Sequence, residues 1–194
     1  QTTGDTALLD EQIPFCEGEQ LLPGEHERYI EVRPTAYTES VYTHCIRALE
    51  RAHRIGERGV PLIGCGDWND GFSNVGTGGQ GQSVWLGMFL GMVLERFAPL
   101  CDARADSYHA NLFRANAVAL RHHIDEQCWD GKWYLRAFYD DGTPIGGQES
   151  EECRIDLLSQ SFAVFFGMPD KARVSGALDC ALKHLVDREY RIIK

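Results

Sequence analysis

A chain of 194 residues is long enough to bury one full hydrophobic core. Its 43% hydrophobic and 25% charged residues are ordinary for a soluble globular protein. The formal net charge of −10, with no basic run, argues against nucleic acid and anionic membrane surfaces as partners and leaves a neutral sugar polymer unopposed. Seven cysteines without a CxxC pair exclude a zinc ribbon or a redox dithiol and read as small apolar residues in a reducing compartment. No apolar run is read as reaching the ~18–20 residues that cross a bilayer, and no signal peptide opens the chain, so a cytoplasmic, non-inserted piece is expected. The missing initiator Met and the apolar-edged end at Arg191–Lys194 read as the cut ends of a fragment, 1–194, of one larger domain.

In chain order, residues 1–34 carry Pro14, Gly18, Pro23, Gly24 and Pro34 and read as a long loop with a short helix near 5–12. Glu17, Glu19, Glu25, Glu27 and His26 either line a cleft or cover a solvated surface. From Tyr37 to about Gly56 the pattern is helical, with Val41, Cys45, Ala48, Leu49 and Ala52 on one stripe and Thr35 or Thr38 as N-cap. His44 near this helix reads as a structural hydrogen-bonder. A loop over 64–82 follows. Its Gly76-Thr77-Gly78-Gly79-Gln80-Gly81 spells GxGxxG, but a dinucleotide site needs that motif after a strand in a βαβ unit, and helices are expected on both sides here. An EF-hand fails because Gly71 stands where a ligand is required.

Residues 83–98 form an apolar helix buried on most sides, and 104–127 a second long helix with Leu112, Ala115, Val118, Ala119 and Ile124 inward. The adjacent His122 and His123 point about 100° apart on a helix and make a poor metal pair. No metal ligand set emerges elsewhere. Trp133 to Tyr139 reads as an aromatic strand turning at Asp140-Asp141-Gly142 into a small hairpin. Arg136 in it either contacts a sugar or an anion, or is a surface Arg stacked on a Tyr. Ile155 to about Phe166 is helical, with Asp156, Ser159 and Gln160 inside, and Pro169 takes the first position of a last helix over 169–187. Long helices with irregular connections and one minor hairpin predict an all-α toroid.

The densest chemistry lies in Gly64-Cys65-Gly66-Asp67-Trp68-Asn69-Asp70-Gly71. Two carboxylates, an amide and an indole between glycines suggest a site on a loop held by a rigid scaffold. Asp, Asn and Gly are also the ordinary formers of an Asx turn, which leaves the Trp unexplained. Asp67-Trp68-Asn69-Asp70-Gly71, followed by Asn74-Val75-Gly76 and Ser83-Val84-Trp85-Leu86-Gly87, resembles the catalytic segment of glycoside hydrolase family 94. Thr3-Gly4-Asp5, Leu9-Asp10-Glu11 and Pro23-Gly24-Glu25-His26 extend the match upstream. Trp129-Asp130-Gly131, Asp140-Asp141-Gly142-Thr143-Pro144, Arg154-Ile155-Asp156 and Ser159-Gln160-Ser161 extend it downstream. Within the family, which holds disaccharide and oligoglucan phosphorylases, the chain looks most like the C-terminal region of the cyclic β-1,2-glucan synthases.

The resemblance implies part of an (α/α)6 barrel with the site at one mouth. It also implies inverting phosphorolysis, which needs only an acid because phosphate itself attacks the anomeric carbon. Asp70 takes the position of that acid, and Trp68 that of a sugar-binding wall. An acid working near neutrality is helped by burial or by a neighbouring negative charge, which Asp67 supplies if the loop turns back on itself. Asn69 holds the turn, and Gln160 is a candidate hydrogen-bonder to sugar or phosphate. The implied partners are a β-glucan oligosaccharide and inorganic phosphate as co-substrate, with no other cofactor. The parent would be a membrane-embedded synthase in which this region sets the length of the β-1,2-glucan chains. Two departures matter: Gln82 stands where many relatives carry Glu, and Tyr190-Arg191 where disaccharide phosphorylases carry a phosphate-holding His-Gly pair. The alternatives are a stand-alone 1,2-β-oligoglucan or cellobiose-type phosphorylase, a non-catalytic glucan-binding module, and a hydrolase with Glu149, Glu151 or Glu152 as second carboxylate. A partial toroid exposes apolar faces, so the isolated piece is expected to be inactive and to self-associate, with a homodimer as one outcome.

Overall fold

The structure, a computed structural model, describes residues 4–22, 25 and 28–194, and the chain divides into two units, 1–53 and 54–194. In the first, two strands interrupt the expected loop and take over the start of the expected helix. After a 3-10 turn at Ala7–Asp10, β1 (Gln12–Glu17) pairs antiparallel with β2 (Arg33–Ser40), Gln12 opposite Ser40 and Glu17 opposite Arg33, with a register irregularity between Pro14 and Cys16. A two-stranded ribbon consists only of edges, so it tolerates Pro14 and Pro34, which cannot donate to a ladder.

α1 (Val41–Ala52) follows directly, and Ser40 Oγ caps it by accepting from the Thr43 amide at 3.1 Å. The expected caps Thr35 and Thr38, and Tyr37 itself, lie in β2 instead. The expected apolar stripe is shallow: Ile46 alone in α1 is buried, and Ala48 is exposed. Rings tie helix to ribbon, with Phe15 stacked on Tyr37 at 5.2 Å and on His44 at 4.0 Å, and Arg47 over Phe15 at 4.8 Å. His44 Nε2 lies 3.0 Å from the Ile13 carbonyl, a structural role as expected. Arg28 gathers Glu19 and Glu25 at 2.7 and 2.6 Å. Pro23, Gly24, His26 and Glu27 lie outside the described residues, and so does Thr3.

The second unit runs β3 (Gln82–Ser83), α2 (Val84–Ala103), α3 (Ser107–Gln127), β4 (Ala137–Phe138), β5 (Pro144–Ile145), α4 (Leu157–Phe165), α5 (Lys171–Leu185), β6 (Val186–Asp187) and β7 (Ile192–Ile193). α2 packs against α3 and α4, and α4 against α5. α2 does not stop before Pro99: Leu94, Ala98 and Cys101 are completely buried and carry the helix through to Ala103. Burial thus overrides the proline, whose missing donor and ring clash cost about 3 kcal/mol in a helix interior. At 20 residues α2 is long and apolar enough, by length and composition, to cross a membrane, contrary to the sequence reading; half of its most apolar window is buried within this unit. Gly91 lets the end of α4 approach, since a Cβ there would lie 2.2 Å from Phe166 Cζ.

The remaining helices start at aspartates. Asp106 accepts from the His109 amide at 3.2 Å, Asp156 from Leu158 at 2.6 Å, and Asp170 from Ala172 and Arg173 at 3.0 Å. Such caps satisfy the free amides of a first turn. They move the expected starts: α3 begins at 107, Asp156 precedes α4, and Pro169 precedes the cap of α5. The aromatic strand narrows to β4, which lies between β3 and β5 in an antiparallel sheet. Its turn is as expected, the Tyr139 amide donating to the Thr143 carbonyl at 2.9 Å. Tyr134 through Phe138 are all buried, so this hairpin is core rather than an appendage. Among the described residues the architecture is helix-rich with three small sheets.

Candidate active site

The segment from 64 to 72 turns back on itself through its own side chains. Asp67 Oδ1 accepts from the Asn69 amide at 3.0 Å, and Asn69 Oδ1 from the Gly71 amide at 2.8 Å. Asn69 thereby caps a 3-10 turn at Asp70–Phe72. The Asx-turn reading holds, and the turn sets the positions of the side chains around it.

Below the turn, the Arg136 guanidinium clamps Asp67, Nη1 to Oδ2 at 2.7 Å and Nη2 to Oδ1 at 2.8 Å. Neither side chain has accessible surface. Ser83 Oγ donates to Asp67 Oδ2 at 2.6 Å, accepts from Arg136 Nη1 at 3.2 Å, and accepts from the Leu86 amide at 3.0 Å as N-cap of α2. The guanidinium lies over the Phe72 ring at 4.6 Å, and its Nε stands 3.4 Å from Asp156 Oδ2. Burial alone would push the Asp67 carboxyl up; hydrogen bonds from Arg136, the Asn69 amide and Ser83 outweigh it and hold the group below its ordinary 3.8.

Above the turn the picture reverses. Trp68 is 72% exposed, Asp70 is exposed, and among the described residues no side-chain hydrogen bond or ion pair engages the Asp70 carboxylate. Gly71, Phe72 and Asn74 then line a cleft of about 960 Å³, completed by Leu135, Tyr139, Thr143, Ile145 and the loop 147–153 with Glu149, Glu151 and Glu152. That volume suits a small organic ligand, and the half-exposed Tyr139 ring offers a stacking surface.

The structure therefore brings Asp67, Trp68, Asp70 and Arg136 to one loop, in two layers. Asp67 spends its charge on Arg136 rather than offering it to Asp70. Arg136 is neither at the surface nor stacked on a Tyr, and with no accessible area it reaches no sugar or anion directly. Gln160 is likewise fully buried: its amide closes on both backbone groups of Tyr134, at 3.0 and 2.8 Å, and on the Asp156 carbonyl at 3.0 Å. A hydrogen bond from Gln160 to sugar or phosphate finds no open surface. The sequence reading missed Ser83 as a partner of Asp67, Asp156 as a neighbour of Arg136, and Asp140. The Asp140 carboxylate accepts from the amides of Gly78, Gln80 and Gly81 at 2.6, 2.7 and 2.8 Å. Among the described residues no three His, Cys, Asp or Glu side chains converge to hold a metal ion.

The profile of the glycosyl hydrolase 94 superfamily catalytic domain matches residues 1–193. The chain belongs to that family. This glycosyl hydrolase 94 chain is 42% identical over 193 residues to the cyclic beta-(1,2)-glucan synthase NdvB of Rhizobium meliloti (strain 1021), covering 99% of the chain and 7% of NdvB. It is 32% identical to the 3-O-beta-D-glucopyranosyl-beta-D-glucuronide phosphorylase of Paenibacillus borealis, over 90% of the chain and 21% of that enzyme. To the N,N'-diacetylchitobiose phosphorylase of Vibrio furnissii it is 28% identical, over 94% and 20%. The chain thus spans less than a quarter of each of these relatives. Its fold is similar to that of the GH78 family rhamnosidase of Bacillus sp. GL1, with a TM-score of 0.54 over 74% of this chain and 14% of that one, at 18% identity. In the family chain described here, Tyr190 and Arg191 occupy the exposed turn between β6 and β7, and Gln82 is buried, its Oε1 accepting from the Arg58 amide at 2.9 Å.

Proposed function

We propose that this domain performs inverting phosphorolysis of β-1,2-glucan as part of a cyclic β-1,2-glucan synthase, with Asp70 as the acid. The observation that carries the reading is the unequal fate of two carboxylates in one turn: Asp67 is closed off by Arg136, and Asp70 is exposed, next in sequence to Gly71 in the cleft lining. One available carboxyl in the turn fits chemistry in which phosphate is the nucleophile. A phosphate oxygen attacks the anomeric carbon from the face opposite the departing sugar. The glycosidic C–O bond breaks, and its oxygen takes the Asp70 proton. The products are glucose 1-phosphate with inverted configuration and a glucan one unit shorter. The Trp68 indole, with its face free, suits the C–H-rich face of a pyranose. The similarity to a cyclic beta-(1,2)-glucan synthase supports β-1,2-glucan as the substrate, and chain-length control is the task this proposal assigns to it.

The same reading makes the helices part of an (α/α)6 toroid, in a parent embedded in the membrane with this domain on its cytoplasmic side. Phe89, Val164 and Phe165, exposed at 38, 47 and 63%, support further helices covering them, and an isolated chain would self-associate there. A hydrolase is the second reading, favoured by Glu149, Glu151 and Glu152 in the wall of the same cleft. The test incubates the full-length protein with β-1,2-glucan, with and without phosphate, and quantifies glucose 1-phosphate for wild type and Asp70→Asn. Phosphate-dependent release that collapses in the variant is the expected outcome. Sugar released without phosphate would establish the hydrolase, and glucan binding without turnover a binding module.

A further inference from the structure

We propose that Asp140 is a positioning residue for the Asp70 loop, its carboxylate filling a nest of backbone amides and so fixing the segment from which that loop is hung. The proposal rests on reading Asp70 as the acid of the site. Converging backbone N–H groups are an anion-binding arrangement, and here the anion comes from the chain itself, sixty residues away at the tip of the β4–β5 hairpin.

Four of the six residues from 76 to 81 are glycine, so this stretch has little conformational preference of its own. Its side chains cannot supply the order. The three charge-assisted hydrogen bonds from Asp140 can. The chain is also crowded here: a Cβ on Gly81 would lie 2.4 Å from the Val75 carbonyl oxygen, so this one of the three donors must be glycine.

The order reaches the site by two short routes. The Gly81 carbonyl accepts from the Ile63 amide at 2.8 Å, which clips the end of the loop 64–82 to its beginning. Two residues beyond Gly81, Ser83 Oγ holds Asp67. Asp140 thus fixes the glycine run, the glycine run fixes both ends of the loop, and the loop carries Trp68 and Asp70. The amides of Gly78, Gln80 and Gly81 hold the Asp140 carboxyl below the usual carboxylate range, which keeps it charged at neutral pH.

The experiment uses the full-length protein with Asp140→Ala and, as a neighbouring control, Asp141→Ala. The expected result for Asp140→Ala is a kcat on β-1,2-glucan lowered about 100-fold, the size of effect that a 1 Å misplacement produces, with KM changed far less. Formate or acetate added at millimolar concentration restores part of the rate by entering the vacated nest, and Asp141→Ala keeps the wild-type rate. Independently of turnover, amide hydrogen exchange at 64–72 and 76–81 accelerates in Asp140→Ala and slows again with formate. Unchanged exchange at 64–72, or a lost rate that neither anion restores, would overturn the proposal. Asp140→Asn, which keeps the volume and loses the charge, serves if the alanine variant does not fold. Global unfolding of both, seen by circular dichroism, would assign Asp140 to stability and overturn the positioning role. Absence of phosphorolysis in the wild type would instead remove the reading of the site, and the exchange measurement would still decide the nest.

Discussion

Asp67 and Asp70 are three residues apart in one turn, yet they live in opposite environments. The first has no accessible surface and is met by two guanidinium nitrogens, a hydroxyl and an amide; the second is exposed with its carboxylate unengaged among the described residues. The difference teaches that the loop is built as a floor and a rim. The floor is part of the core, and its energetics are those of a buried ion pair. The rim carries the groups available to a ligand and contributes little to folding.

The largest expected effect that sharpens this contrast comes from Arg136→Met, which strands the Asp67 charge in the interior. Removing one partner of a buried pair typically costs about 3–5 kcal/mol. Urea unfolding of the variant measures it, and a loss below about 1 kcal/mol would mean that water reaches Asp67 and the floor is not closed. The double variant Arg136→Met with Asp67→Asn is expected to recover part of the loss, because the uncompensated charge has gone.

A smaller effect is expected from pH. The folded state holds the Asp67 carboxyl below its ordinary 3.8, so its contribution to stability is fully present above that value and is lost as pH falls through the lower, folded one. Wild type should therefore destabilise on acidification below about pH 4, and Asp67→Asn should show a flatter acid limb in thermal melts taken across that range. Equal slopes would remove Asp67 from the acid response.

The smallest effect on stability belongs to the rim. Trp68→Ala and Asp70→Asn should each stay within about 0.5 kcal/mol of wild type, as exposed substitutions usually do. Trp68→Ala should nevertheless weaken glucan binding by calorimetry. A large loss of stability in either variant would place rim residues in the core and break the comparison.

The rim was legible in the sequence, and the floor was not. Asp, Asn and Gly at turn spacing announce the turn, and an indole among them has no role in making one, which singles out Trp68. Arg136 lies 69 residues from Asp67, and spacing carries no information about a pair that only folding brings together. Its aromatic neighbours suggested an exposed stack, whereas the rings over which it lies, Phe72 and Trp85, come from elsewhere in the chain. Helix α2 was readable because apolar residues on most faces leave little alternative to burial. The extent of α3 was readable but its inner face was not: Ala115, Val118 and Ala119 are exposed, and Ala110, Phe113, Ala117 and Leu120 are buried with Ile124. The β1–β2 ribbon was not readable, because Pro14 and Pro34 mask strands whose exposed faces show no alternation. Its order comes from Phe15, Tyr37 and His44 meeting in space.

Ser83 has a consequence for motion. One hydroxyl caps the first turn of α2 and grips Asp67, so any displacement of that carboxylate must loosen the N-terminus of the unit's longest-buried helix. On the reading of Asp70 as the acid, a sugar chain is to be accommodated by the rim and not by the floor. Asp67 anchors the start of the turn through Arg136 and Ser83, so the part that can shift without disturbing the pair is the segment after it, Trp68 to Gly71. Such a rim resembles a latch on a fixed plate: its displacement stays local, and the helix behind it is not disturbed.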